Sequence, residues 1–169
     1  MHLAVSDNPE LHAIPPAEKR SGVCLVVGTH PCWRGDVDKA FTAYPVPDIC
    51  GVNEAPRLIN CDHLATCHGE KIEDFLDLCD GYTPLVHFRD NDVRPDLLNV
   101  PHHSWPVRTM AGSAPFAAAA MVMLGYDKVI FCGCPMTGGG GYSFEDTPRS
   151  TNADPRIGFI EPNHRAVKE

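Results

Sequence analysis

The sequence predicts a three-layer α/β fold built on a mainly parallel sheet of about five or six strands, with helices on both faces. Short, continuous apolar runs such as Val23–Val27 recur along the chain, and parallel sheets bury strands of this kind on both faces. Segments with helical spacing or helix-forming composition lie between several of these runs. This alternation indicates strand–helix–strand units with right-handed crossovers.

The first predicted unit is a strand, a loop and a helix. Val23–Val27 is a strand that ends at Gly28, and the loop G-T-H-P-C-W-R-G follows at 28–35. Asp36 is predicted to cap a helix over 37–43. Because a helix N-terminus attracts anions, this loop is a candidate phosphate-binding element, although it matches neither common glycine-rich phosphate motif. The alternative is an ordinary connecting loop with Trp33 packed at the surface.

The middle of the chain adds three predicted strands and one helix. The strands cover 49–52, 63–66 and 84–88, and the helix covers 70–79. The helix is predicted from apolar residues at three- and four-residue spacing, namely Ile72, Phe75, Leu76 and Cys79. Asn53 and Glu54 follow the first of these strands, and Thr66 and His68 lie at the end of the second.

The last part of the chain begins with a polar stretch over 89–108, which predicts a long functional or mobile loop with a short strand near 97–100. An alanine-rich helix over 113–124, capped by Ser113, then leads into a strand over 128–132. Four successive glycines at 138–141 predict a loop that is mobile when empty and closes on a ligand. A connection without such a role is the alternative.

Length and composition predict one domain over 1–169, with a peripheral arm at 1–21 and an irregular tail at 138–169. No apolar run is long enough to cross a membrane, and the polar start of the chain lacks a signal-peptide core, which predicts a cytoplasmic protein. The eight cysteines are therefore expected to be reduced thiols, most of them buried. The net charge of −8 disfavours nucleic acid as a partner.

The candidate ligand-binding positions are residues that follow predicted strands, because ligands bind outside the carboxyl ends of parallel strands, and the Gly112–Ser113 turn that begins the alanine-rich helix. They are Gly28, Thr29, Asn53, Glu54, Gly112, Ser113, Gly133 and Pro135. A simple turn or capping role is the competing interpretation for Asn53. At Gly112 and Ser113, helix capping and close approach to a ligand are compatible with one another.

The candidate catalytic residues are His102, His103 and His68, because imidazole suits proton transfer near neutral pH. A histidine within reach of the Gly112–Ser113 turn would be the leading candidate base. The segment 61–68 is dense in Cys and His but lacks the paired C-x-x-C element of a structural zinc site, so no metal site is predicted there.

Four segments together resemble a known Rossmann-like family. They are the Gly28 loop, G-V-N-E-A at 51–55, D-H-L-A-T-C-H at 62–68 and, above all, G-S-A-P-F-A-A-A-A-M-V-M-L-G-Y-D-K-V-I-F-C-G-C-P-M at 112–136. The family includes hydroxymethylpterin diphosphokinase-like proteins, bacterial sialyltransferase-like enzymes and many small phage proteins. The similarity covers about residues 22–142. It implies a nucleotide site lined by Gly28, Asn53, Gly112 and Ser113.

The resulting functional hypothesis is a transferase that moves a glycosyl or phosphoryl group from a nucleotide or nucleotide sugar, with Mg²⁺ as a candidate accompanying ion. Catalysis would come mainly from positioning and charge stabilisation. The alternative is a non-catalytic phage protein that binds a nucleotide or occupies a place in a virion or other assembly. A homo-oligomer is compatible with both hypotheses. Metal-dependent hydrolysis by the Asp and His residues ranks third.

Overall fold

The structure, a computed structural model, describes residues 20–90, 99–106 and 112–134. In chain order the main elements are β1 (Val23–Val27), α1 (Trp33–Ala43), β2 (Asp48–Val52), β3 (His63–Ala65), α2 (Ile72–Leu76), β4 (Leu85–Arg89), β5 (His102–Trp105), α3 (Ser113–Leu124) and β6 (Lys128–Cys132). The strands form one six-stranded sheet in the order β5-β4-β3-β2-β1-β6, and every pair is parallel. This confirms the predicted Rossmann-like α/β class.

The strand order reverses once, between β1 and β6. From β1 to β5 each strand is added next to the one before it, and α3 then returns the chain to the other side of β1. In open parallel sheets, the carboxyl ends of the strands at such a reversal border the usual ligand crevice. The loops that leave β1 and β6, and the neighbouring loops along the same edge, are therefore the expected ligand-binding positions of this fold.

The helices lie on both faces of the sheet. On one face, Val37 and Ala40 of α1 pack with Leu25 and Val27, and Ile72 of α2 packs with β4. On the other face, α3 packs against the strands through a fully buried set: Phe116, Ala117, Ala120, Met121 and Leu124. Because its buried alanines are small, α3 can lie close to the sheet.

Helix α1 begins one turn earlier than the sequence predicts, and Asp36 is not its cap. Cys32 is the N-cap residue, because its carbonyl already accepts a hydrogen bond from the Asp36 N–H at 3.1 Å. Asp36 lies in the first turn, where its Oδ2 accepts a hydrogen bond from the Gly133 N–H at 3.0 Å. The carboxylate thus connects α1 to the end of β6.

Ser113 is likewise not the cap of α3, because Gly112 holds that position with a φ of +94°. The Ser113 Oγ instead accepts a hydrogen bond from the Cys67 N–H at 3.0 Å. Helix α2 is shorter than predicted, since a 3₁₀ turn over Gly69–Lys71 precedes it. The local sequence therefore predicts where these helices lie. The hydrogen bonds of Asp36 and Ser113, however, are made with distant loops.

The prediction of a strand near 97–100 is wrong at Asn99 and Val100, which are not in a strand. Residues 97–98 lie outside the described residues. The strand runs instead over His102–Trp105, so His102 and His103 are not loop residues. They pair with Val86 and His87 of β4, and the ring of His102 stacks on Phe88 at 5.5 Å. Pairing with β4 outweighs the weak β pattern of H-H-S-W.

Several predicted features fall outside the described residues: residues 1–19 of the arm, Pro135, the glycine run at 138–141 and the tail at 138–169. At the end of the arm, Arg20 and Ser21 are exposed, and the Arg20 N–H donates to the Leu124 carbonyl at 2.9 Å. Among the described helices, none has the length and apolarity needed to cross a membrane.

Replacing Gly28 by alanine is predicted to destabilise the fold. A Cβ at this position would lie 2.5 Å from the Gly133 carbonyl oxygen and 2.7 Å from the Cys134 Sγ, so one of the two loops must shift. We expect Gly28→Ala to lower the free energy of unfolding by about 1–3 kcal/mol, as overpacking usually does, measured by urea denaturation followed by circular dichroism.

Gly35→Ala is the matched control, because the same added methyl group meets no atom within 4 Å in α1. Removing a helical glycine should raise the free energy of unfolding by up to about 1 kcal/mol. Equal effects of the two substitutions would contradict the steric explanation.

Candidate functional site

The carboxyl-end edge of the sheet brings three polar segments together, and we call this group the polar cradle: Asn53 after β2, Thr66, Cys67 and His68 after β3, and Ser113 at the start of α3. The Thr66 hydroxyl donates to Asn53 Oδ1 at 2.8 Å and accepts from the His68 N–H at 2.9 Å. The bond from the Cys67 N–H to Ser113 Oγ adds the third segment. Residues that are 60 positions apart in sequence (53 and 113) thus share one site.

Asn53 adopts a left-handed conformation with a φ of +52°, which asparagine tolerates better than most residues. Its N–H donates to the Ala65 carbonyl at 3.2 Å, and its side chain accepts from Thr66. The predicted turn role of Asn53 is therefore present. The side-chain nitrogen carries two further donors that these bonds do not use. Glu54 lies beside it, half-buried, at the start of a 3₁₀ turn.

The N-terminus of α3 opens next to the cradle. Gly112 is exposed, and a Cβ built there would meet only Pro115 Cδ, at 3.9 Å. Within the described residues no side chain caps this helix, so the N–H groups of Ser113 and Ala114 are the donors that it offers to a ligand, since Pro115 has no N–H. The helix dipole adds a partial positive charge at the same place. These features favour an anionic ligand.

His68 is the predicted catalytic histidine that lies in the cradle. Its backbone N–H bonds to Thr66, and its neighbour Cys67 bonds to Ser113. The imidazole Nδ1 lies 3.4 Å from Glu70 Oε1, and the side chain is 48% exposed. The imidazole of His68 is therefore partly open to solvent within the described part of the chain.

The other two predicted catalytic histidines lie in β5. His102 and His103 occupy its first two positions, and pairing through His87 sets His103 level with Ala65, the residue before Thr66 of the cradle. The His102 Nδ1 is 2.9 Å from the Val100 carbonyl oxygen. The His103 ring packs 5.7 Å from the rings of both His87 and Trp105.

Gly28, Thr29 and Gly133 form a second place on the same edge, the β1–β6 junction. The Gly28 N–H donates to the Cys132 carbonyl at 2.8 Å, and the His30 N–H donates to the Gly133 carbonyl at 3.1 Å. A Cβ on Gly133 would lie 2.5 Å from the Cβ of Trp33. Here the glycines let two loops approach each other, and Thr29 is buried beneath them.

A buried chain of polar side chains crosses the α3 face of the sheet, and we call it the buried relay. The Trp105 Nε1–H donates to His87 Nδ1 at 2.9 Å, and His87 Nε2 lies 3.0 Å from His63 Nδ1. The His63 Nε2 lies 2.8 Å from the Tyr126 hydroxyl, which donates to Asp48. Because indole is only a donor, the order of donors assigns the proton to Nε2 in both imidazoles.

Both histidines of the buried relay are neutral at physiological pH. Burial is the main cause that lowers the pKa of His63 to about 4, and the charge of Arg20 contributes to the same direction. Burial also holds the pKa of His87 well below its usual value, with a smaller contribution from His63. A neutral pair satisfies every donor in the chain, whereas a second proton on His63 would face the Nε2–H of His87, and one on His87 would face the Trp105 N–H.

Sequence reasoning missed the buried relay. In the sequence, His63 stands out only as part of the Cys- and His-rich segment 61–68, and no motif assigns a role to Tyr126 or Asp48. The available signal was a histidine inside an otherwise apolar strand, as in L-V-H-F at 85–88. Such a residue needs a buried partner, because an unsatisfied buried polar group is costly. The identity of that partner follows only from the strand order.

A cleft of about 250 Å³ opens at the opposite, amino-end edge of the sheet. Its lining includes Gly22, Tyr44, Val46 and Asp48, and none of the predicted site residues. Within the described parts of the chain, no group of three or more His, Cys, Asp or Glu side chains is arranged to hold a metal ion.

Comparisons with known proteins add no functional assignment. No protein-family model, curated protein or solved structure matches this chain. The chemistry of the carboxyl-end edge therefore has to be argued from its own residues.

The buried relay predicts a specific loss of stability in mild acid. The unfolded chain binds a proton at His63 near the ordinary value of 6.5, whereas the folded state does so only near 4. The free energy of unfolding should therefore fall as the pH decreases from about 6.5 towards 4, by up to about 1.4 kcal/mol per pH unit for this residue. Urea denaturation at a series of pH values measures this slope.

Replacing His63 by glutamine should make that slope shallower by up to the same amount, whatever its effect on stability at pH 7. His68→Gln, the same substitution at an exposed site, controls for the loss of an imidazole. An unchanged slope in His63→Gln would contradict the assignment.

Proposed function

We propose that this protein binds a nucleotide through its phosphate groups at the polar cradle. The observation that carries the proposal is the set of hydrogen bonds that joins Asn53, Thr66 and Ser113 beneath the open N-terminus of α3. A helix N-terminus without a side-chain cap provides backbone donors and a favourable field for a phosphate. The surrounding side chains are held in place before any ligand arrives, which reduces the entropic cost of binding.

Each residue of the cradle has a separate role in the proposed binding. The backbone N–H groups at the start of α3 contact the phosphate, and Gly112 leaves room for its close approach. The Asn53 amide donates to the ligand with the hydrogens that its bonds to Thr66 and Ala65 leave unused. Thr66 acts through Asn53, since its hydroxyl hydrogen is donated to that side chain.

The proposed reaction is transfer of a glycosyl or phosphoryl group from the bound nucleotide. His68 is the preferred general base for two reasons. The N–H of its chain neighbour Cys67 donates to Ser113 Oγ, and the His68 imidazole is accessible. The proposed kinship with hydroxymethylpterin diphosphokinase-like and bacterial sialyltransferase-like proteins is compatible with such a donor. Mg²⁺ is the metal we propose to include with the nucleotide.

The second candidate function is nucleotide binding without catalysis. The half-exposed side chain of His68 and its contact with Glu70 favour this alternative, because efficient proton transfer generally uses a base held in a water-excluded site. A phage protein that sequesters a nucleotide or joins an assembly would need the cradle but no base.

Asn53→Asp is the sharpest test of binding. Aspartate tolerates the same left-handed turn and can still accept the hydrogen bond from Thr66, but it places a negative charge where the phosphate is proposed to lie. We expect wild-type protein to show a rise in melting temperature with CMP, UDP, ATP or their sugar derivatives, with or without Mg²⁺. Asn53→Asp should weaken the affinity for the active nucleotide at least about tenfold, or about 1.4 kcal/mol.

The control is Asn60→Asp, which makes the same charge change at an exposed residue that precedes β3 at the other edge of the sheet. Equal weakening by both variants would mean that net charge alone is responsible. The absence of a shift with every nucleotide would reject the proposal.

His68→Ala separates the two candidate functions. In a transferase it should abolish turnover of the donor while the thermal shift is retained, because a positioned base contributes about 10²–10⁴-fold to the rate. Turnover that survives in His68→Ala would remove this residue as the base, and His102→Ala and His103→Ala would then test the other predicted candidates. Binding without turnover in wild-type protein would favour the non-catalytic function.

A further inference from the structure

The loop after β1 presents an accessible thiol. All eight cysteines lie in the described residues, and Cys32 is the one that is exposed, whereas the others are buried or half-buried. It lies at the β1–β6 junction, where the strand order reverses and a ligand crevice is expected. Within the described part of the chain, this thiol is therefore open to solvent beside the junction.

A potential base contacts this thiol directly. The Cys32 Sγ lies 3.1 Å from His30 Nδ1, and the Cys32 backbone N–H donates to the same nitrogen at 3.3 Å. Because Nδ1 accepts from the backbone, it carries a lone pair and the ring proton is on Nε2. The imidazole in this tautomer can accept the thiol proton once the S–H turns towards Nδ1.

The third member of the group is Asp36. The Cys32 thiol donates to Asp36 Oδ2 at 3.3 Å, and the same oxygen accepts a hydrogen bond from the Gly133 N–H at 3.0 Å. Partial burial and the Asp36 carboxylate raise the pKa of Cys32. The thiol is consequently protonated at rest, and its activation requires a base at the moment of reaction.

Two features stabilise the thiolate once it forms. Cys32 is the N-cap residue of the eleven-residue helix α1, where the helix dipole favours a negative charge. Transfer of the proton to His30 also creates an imidazolium beside the sulfur. Both act against the effect of Asp36 on the thiol.

We propose that Cys32 is a nucleophile that accepts an acyl group from an activated ester or thioester, with His30 as its general base. The thiol proton moves to His30 Nδ1, the sulfur bonds to the carbonyl carbon, and the bond from that carbon to the leaving group breaks. The leaving alcohol or thiol takes the proton from His30. Water or a second acceptor then removes the acyl group and regenerates the thiol. This activity does not depend on nucleotide binding at the polar cradle.

The test uses p-nitrophenyl acetate as the acyl donor and the full-length protein. We expect a burst of p-nitrophenolate that corresponds to about one acetyl group per chain, as a covalent intermediate requires, and peptide mapping by mass spectrometry should place the group on Cys32. Cys32→Ser should abolish the burst. Cys79→Ser, which removes a half-buried thiol after α2, should leave it unchanged.

Two further variants test the roles of the neighbouring side chains. His30→Asn keeps an acceptor for the Cys32 N–H but removes the base, and it should slow acetylation about a hundredfold, which is the lower end of a positioned base's contribution. Asp36→Asn keeps an acceptor for the Gly133 N–H but removes the negative charge that holds the thiol proton, so it should accelerate acetylation.

Circular dichroism of each variant verifies that the fold is retained. Acetylation elsewhere than Cys32, or a rate in folded His30→Asn equal to that of wild-type protein, would overturn the proposal. A slower rate in Asp36→Asn would overturn the assigned role of that carboxylate.

Discussion

The return of the chain from β5 to β6 through α3 is the constraint on which the rest of the structure depends. It requires a helix that can lie close to the sheet, and the buried Ala117 and Ala120 provide the small surface for this contact. β6 then pairs with β1 over its full length. Because all six strands are parallel, their carboxyl ends share one edge, and the polar loops that follow them are collected there.

This edge is divided into two places with different chemistry, and glycines have different functions in each. At the β1–β6 junction, Gly28 and Gly133 are needed because two backbones touch, so their missing side chains leave no space for a ligand between them. At the cradle, Gly112 has a positive φ and open space beside it. The junction therefore offers side chains such as Cys32, whereas the cradle offers backbone donors.

The buried relay crosses the sheet below this edge. Its side chains join β5, β4, β3 and β2 to Tyr126, the residue that lies between α3 and β6. Leaving one buried donor or acceptor without a partner would cost about 1–3 kcal/mol, so a shift in strand register would be penalised at several points at once. We interpret the relay as a device that specifies strand pairing, because its two histidines are neutral and fully buried.

The sequence by itself determined the α/β class, the bounds of β1, α3 and β6, and the gathering of Asn53, His68 and Ser113 at one edge. The strands and helices follow from apolar runs and helical composition, which are local patterns. The shared edge follows because parallel pairing places the carboxyl ends of all strands on the same side. Only the tertiary structure decided that β5 lies at His102–Trp105 and that Asp36 and Ser113 bond to other loops rather than cap their helices. A short pattern indicates whether a residue is buried, but the partner of a polar side chain is a distant residue that the fold brings beside it, as with Asp36 and Gly133, which are 97 positions apart.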